Sequence, residues 1–166
     1  MATDPFWIAT DLPGRLAIMP RPRSGDWLED EIAALKAAKV DLVVSLLDND
    51  EIAELGLRDE GRLCEAAGID FLRFLIADRG VPDGALLRPF ARNLLARLHS
   101  GQSVAIHCRA GIGRSSLVAA SVMIEGGMPP LSLSRASRTR EACACRIPSN
   151  NATGLSLTPR SRRAVQ

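Results

Sequence analysis

The sequence predicts an α/β domain built on a mainly parallel central sheet. Three observations carry that expectation. Strand-like and helix-like segments alternate along the first 130 residues, the order that lays parallel strands beneath covering helices. The run DLVVSLL (41–47) is short, apolar and β-branched, as a strand buried on both faces must be. With 166 residues, 46% of them apolar, the chain can bury a core without disulfide or metal staples.

The elements follow in order. FWIAT (6–10) and LAIMP (16–20) read as two short strands around a DLPG turn. Asp26 stands where an N-cap would, with Glu29 three residues on as in a capping box. The helix after it, to about Lys39, sets Trp27, Leu28, Ile32 and Leu35 on one face. A helical stretch covers about 50–67, and DFLRFLI (70–76) reads as a strand. The loop ADRGVPDG (77–84) ends at Asp83, which can cap a helix carrying Leu87, Phe90, Leu94, Leu95 and Leu98. SVAIHC (103–108) is a strand ending at the cysteine. A last helix starts near Arg114 and stops at Gly126-Gly127.

Charge divides the chain. Residues 1–130 carry 14 Lys/Arg against 18 Asp/Glu, whereas residues 131–166 carry seven Arg and one Glu. A mildly acidic body argues against a nucleic-acid surface. The tail, rich in Ser and Arg and without helix or strand period, is expected to be disordered. Two of the four cysteines, Cys143 and Cys145, are too close in sequence to pair easily, so a reducing compartment is expected. The N-terminus has no signal-peptide pattern and no apolar run has transmembrane length. The expectation is a cytoplasmic protein with no membrane partner.

The chemistry concentrates in AIHCRAGIGRSS (105–116). Gly111 and Gly113 let backbone N–H groups turn inward, and a helix N-terminus follows, which together make an anion cradle of residues 108–114. A Walker loop would end in Gly-Lys-Ser/Thr and a dinucleotide loop would have a third glycine; Gly113-Arg114-Ser115-Ser116 has neither. Arg114 brings a permanent charge on a planar fork that can hold two phosphate oxygens. In such a bowl the Cys108 thiol should ionise more readily than a free one and attack phosphorus. Ser115 can hydrogen-bond the sulfur, and His107 is placed to orient the loop through hydrogen bonds. Singly, a strand-end cysteine is usually a buried hydrophobe and a Gly-x-Gly turn only a turn. Their joint spacing after a strand and before a helix favours function.

His107-Cys108-Arg109-Ala110-Gly111-Ile112-Gly113-Arg114-Ser115-Ser116 resembles the active-site signature of the cysteine-dependent protein tyrosine phosphatase superfamily. The lead-in and the loop IADRGVPD (76–83) resemble the dual-specificity branch, including the cyclin-dependent-kinase-associated phosphatases. The resemblance runs from about residue 6 to 130, making 1–130 the catalytic domain and 131–166 an added tail. It implies about five strands flanked by helices, and hydrolysis of phosphoesters without metal or other cofactor. It also implies a general acid upstream of the cysteine. Asp78 matches that position, and Asp83 is the rival, although its place before a helix suits a cap. No tyrosine-bearing recognition segment exists in a chain without tyrosine, which favours a shallow pocket. Ile112 stands where lipid phosphatases of the superfamily tend to place lysine, and Arg109 keeps that question open. The expected substrates are phosphorylated Ser/Thr/Tyr side chains or related phosphomonoesters. The alternatives are a phosphate-binding module without turnover and a sulfurtransferase.

Overall fold

A computed structural model describes residues 3–128. The tail 131–166, with Cys143 and Cys145 and the disorder expected of it, lies outside the described residues. The strands are β1 (Phe6–Ile8), β2 (Leu16–Pro20), β3 (Leu42–Ser45), β4 (Asp70–Arg73) and β5 (Val104–Cys108). The α-helices are α1 (Leu28–Ala37), α2 (Asn49–Glu54), α3 (Glu60–Ala66), α4 (Gly84–His99) and α5 (Arg114–Glu125).

The five strands form one sheet in the order β1-β2-β5-β3-β4. It is mixed: β1 runs antiparallel to β2, and every other pairing is parallel. β5 lies at the centre with all five residues buried, so its carboxyl end opens at the middle of the sheet edge, where α/β sheets bind ligands. Side chains alternate across the two faces. Leu16, Val44, Ile106 and Cys108 pack with Leu94, Leu98, Val118 and Val122 on the α4/α5 side. Met19, Val43 and Ala105 pack with Ile32, Leu35, Leu57 and Cys64 on the α1/α3 side. Leu94 and Leu98 are fully buried; truncating either to Ala costs about 2–5 kcal/mol.

Helix boundaries depart from the sequence reading in two places. Asp26 does not cap α1. Gly25, at φ 65°, turns the chain into a 3-10 turn over Gly25–Trp27, so Asp26 lies inside that turn and Trp27 precedes α1 with no side-chain cap. The capping box stands instead at Asp48 and Glu51, where each side chain accepts the other's backbone N–H. The stretch 50–67 is two helices, not one. Gly56 adopts φ 66°, and the bonds Leu57 N–H to Ile52 C=O and Gly56 N–H to Ala53 C=O close a Schellman stop. The strand expected over 70–76 ends at Arg73, although Phe74 and Ile76 still donate to the carbonyls of Ser45 and Leu46. Asp83 caps α4 as read, accepting from Ala85 N at 2.8 Å.

Candidate active site

The loop between β5 and α5 wraps the Cys108 sulfur with donors. Gly111 N–H donates to Sγ at 3.2 Å, and Ser115 Oγ lies 3.5 Å from it. The loop can close this tightly because Gly111 sits at φ 73°, with its α-carbon against the end of β2. A Cβ there would fall 2.4 Å from the Met19 carbonyl carbon and the Pro20 nitrogen. Gly113 has no such constraint: its φ is −84° and a Cβ would meet open space. Burial pushes the Cys108 thiol up, but hydrogen bonds from the Ser115 side chain and from the backbone of Ser115, Gly111 and Ala110 outweigh it. The net effect holds the thiol below its ordinary value.

Arg114 opens α5 and reaches across the sheet edge. Nη1 and Nη2 grip the two Glu51 oxygens at 2.6 and 2.7 Å, and Nη1 also donates to Ile76 C=O at 2.8 Å. A guanidinium has five N–H donors. These bonds use the Nη1/Nη2 edge and leave the Nε/Nη2 edge, which is one fork suited to two oxygens of an anion. Asp78 Oδ1 lies 3.5 Å from Nη2 on the same arginine. Glu51 therefore fixes the charge, and its own carboxylate is braced by the Asp48 backbone N–H in the capping box.

The remaining residues fall around this centre. Asp78, Arg79, Gly80, Cys108, Arg109, Ala110, Gly113, Arg114 and Leu117 line one cleft of about 680 Å³. Asp83 is not among them. Asp78 stands on a turn closed by Gly80 N–H to Ala77 C=O, with Arg79 at φ 57°. Phe74 stacks on Phe90 of α4 at 4.4 Å and anchors the start of that segment. Ile112 projects outward at the loop's tip. Arg109 forms a two-pronged, exposed pair with Glu54 of α2. His107 makes a different contact from the loop hydrogen bonds the sequence suggested: its Nε2 lies 3.0 Å from Glu60 Oε1. Its ring faces the opposite side of the sheet from the thiol and makes no aligned hydrogen bond with the loop. Its carbonyl accepts from Leu46 N–H. Among the described residues no three His, Cys, Asp or Glu side chains gather as a metal site.

Sequence reasoning missed Glu51 and Glu54. The pattern Asp48-x-x-Glu51 was legible as a capping box, but no local signal ties it to an arginine 63 positions away.

Comparisons with known proteins agree with this geometry. A family profile described as Tc-R-P, "Polymorphic toxin system, DSP-PTPase phosphatase", matches residues 17–128, more than half of the chain. A probable protein tyrosine phosphatase type IVA A of Dictyostelium discoideum is 36% identical over 69 residues, which span 40% of this chain and 42% of that protein. The kinase associated phosphatase KAP, solved with its catalytic-site cysteine replaced by serine, superposes with a TM-score of 0.71 at 18% identity, covering 89% of this chain and 99% of its own. Tk-PTP in its active form gives a TM-score of 0.61 at 27% identity, with coverages of 81% and 84%. The fold is that of the cysteine-based protein tyrosine and dual-specificity phosphatases, and the chain belongs to the DSP-PTPase phosphatase family of polymorphic toxin systems.

Proposed function

We propose that the protein hydrolyses phosphorylated Ser, Thr and Tyr side chains through a cysteinyl-phosphate on Cys108. The observation that carries this reading is the joint placement of a stabilised thiolate and the open Nε/Nη2 edge of Arg114 in one cleft with Asp78. The Cys108 sulfur attacks phosphorus while the bond to the leaving oxygen breaks, and Asp78 gives that oxygen its proton. The loop N–H groups and Arg114 hold the three equatorial oxygens as charge builds on them. Asp78, now a carboxylate, takes a proton from water as the water attacks. The S–P bond breaks, phosphate leaves, and the sulfur departs as a thiolate supported by Ser115 and Gly111.

The place of Asp78 in the cleft, and of Asp83 at the cap of α4, supports Asp78 as the acid. None of the residues lining the cleft is aromatic, which supports a shallow site open to short phosphoserine and phosphothreonine as well as phosphotyrosine. The toxin-system setting of the family supports phosphoproteins of a target cell as the substrates. The test is hydrolysis of p-nitrophenyl phosphate and its inhibition by vanadate. The wild-type chain should turn over, and Cys108→Ser should bind vanadate without turnover. Substantial activity in Cys108→Ser would overturn the mechanism; thiosulfate turnover by the wild type would favour sulfur transfer instead.

A further inference from the structure

One buried acid has no task in this mechanism. Glu60, the first residue of α3, is 1% exposed, and its Oε1 lies 3.0 Å from Nε2 of the fully buried His107. The contact is close but off-line. Glu60 Oε1, both ring nitrogens of His107 and Ser45 Oγ have no aligned hydrogen bond. Ser45 and His107 are register partners on β3 and β5, so they share the sheet face that carries Met19 and Val43. Cys108, one residue on, packs on the other face. Burying polar atoms without aligned partners costs stability, so packing alone does not account for this cluster. A second feature brings it together. Gly61 lies so close to β4 that a Cβ would come 2.9 Å from the Phe71 ring. Only a glycine there lets the start of α3 approach the sheet and deliver Glu60 to His107.

We propose that Glu60 is a positioning residue for the nucleophile. Its carboxylate holds the His107 ring on the far face of β5, and the ring in turn fixes the peptide unit that carries Cys108. The loop donors then stay aimed at the sulfur. This rests on Cys108 being the nucleophile, and it assigns a function to a residue 48 positions upstream of that cysteine. Glu60 also faces Cys64, whose thiol burial and then Glu60 and Glu65 push up.

Two opposite effects separate positioning from a mere field. Removing a negative charge on its own would make Cys108 ionise more easily. Removing a positioning contact would loosen the donors and make it ionise less easily. Alkylation of Cys108 by iodoacetamide, followed against pH on the full chain by peptide-resolved mass spectrometry, reads the sign. In Glu60→Gln the midpoint should rise by roughly one pH unit, and kcat for p-nitrophenyl phosphate at pH 6 should fall about tenfold with a smaller change in KM. Glu60→Asp should fall between Glu60→Gln and the wild type. A midpoint that moves down, or stays, overturns the proposal. If Glu60→Gln does not fold, the wild type still decides: the His107 ring-nitrogen NMR signals should shift when vanadate fills the cradle, and unchanged signals would overturn it. Failure of the wild type to hydrolyse p-nitrophenyl phosphate would sink the phosphatase reading instead, while the alkylation midpoints would still report on Glu60.

Discussion

Cys64 and Cys108 are both buried free thiols, 0% and 3% exposed, on opposite faces of one sheet. Around Cys64, burial and then the carboxylates of Glu60 and Glu65 push the thiol up to about 12. Around Cys108 burial pushes the same way, but hydrogen bonds from Ser115, Gly111 and Ala110 reverse the sign. Removal from water is therefore not what makes a thiol inert or reactive. The count and aim of donors decide, and a low local dielectric enlarges whichever effect is present. The chain places a positive-φ glycine and a helix N-terminus at one cysteine and nothing comparable at the other.

The comparison breaks most severely at Gly111. Gly111→Ala must push a Cβ into the backbone of Met19 and Pro20 at a positive φ, which turns the Gly111 N–H away from the sulfur. Cys108 should then behave more like Cys64, and kcat/KM for p-nitrophenyl phosphate should fall by about 10²-fold or more. A near-normal rate would mean the donor is dispensable.

Asp78 tests what a thiolate cannot do for itself. Asp78→Asn should slow phenyl phosphate or phosphoserine hydrolysis by roughly 10²-fold and p-nitrophenyl phosphate much less, because only poor leaving groups need the proton. Asp83→Asn keeps a capping side chain and should change all substrates alike. If Asp83→Asn carries the leaving-group dependence, the roles are reversed.

Ser115→Ala removes one charged-acceptor hydrogen bond and leaves the others. The alkylation midpoint of Cys108 should rise by roughly one pH unit, and phosphate release from the intermediate should slow, since the sulfur leaves with less support. An unchanged midpoint would assign the lowering to the backbone alone. The smallest effect on activity belongs to Cys64→Ser, which should leave kcat and KM as they are. It should cost about 1–3 kcal/mol of stability, the penalty for a buried hydroxyl without a partner, measurable by urea denaturation.

The contrast also marks what the sequence discloses. Cys108, Gly111, Arg114 and Ser115 lie within eight residues, and a loop that short declares its chemistry by spacing. The alternation that predicts a parallel sheet is legible because each strand writes its burial into its own residues, as Leu42–Ser45 does. The partners that tune the site are another matter. Glu51, Glu54 and Glu60 are ordinary helix-start or surface acids until the fold carries them to Arg114, Arg109 and His107. The Asp26 cap and the continuous helix over 50–67 fail for a related reason. Gly25 and Gly56 both take positive φ, and a residue pattern records the glycine but not which way it turns.

The central claim is that donors, not burial, select Cys108 as the group that takes the phosphoryl. Acid quenching of the full-length protein during turnover of labelled p-nitrophenyl phosphate, followed by peptide mapping, tests this directly. The account predicts one acid-stable phosphocysteine, on the peptide that holds Cys108, absent in Cys108→Ser and strongly reduced in Gly111→Ala, with none on the Cys64 peptide. Turnover that proceeds with no label on Cys108, or label on Cys64, would contradict it.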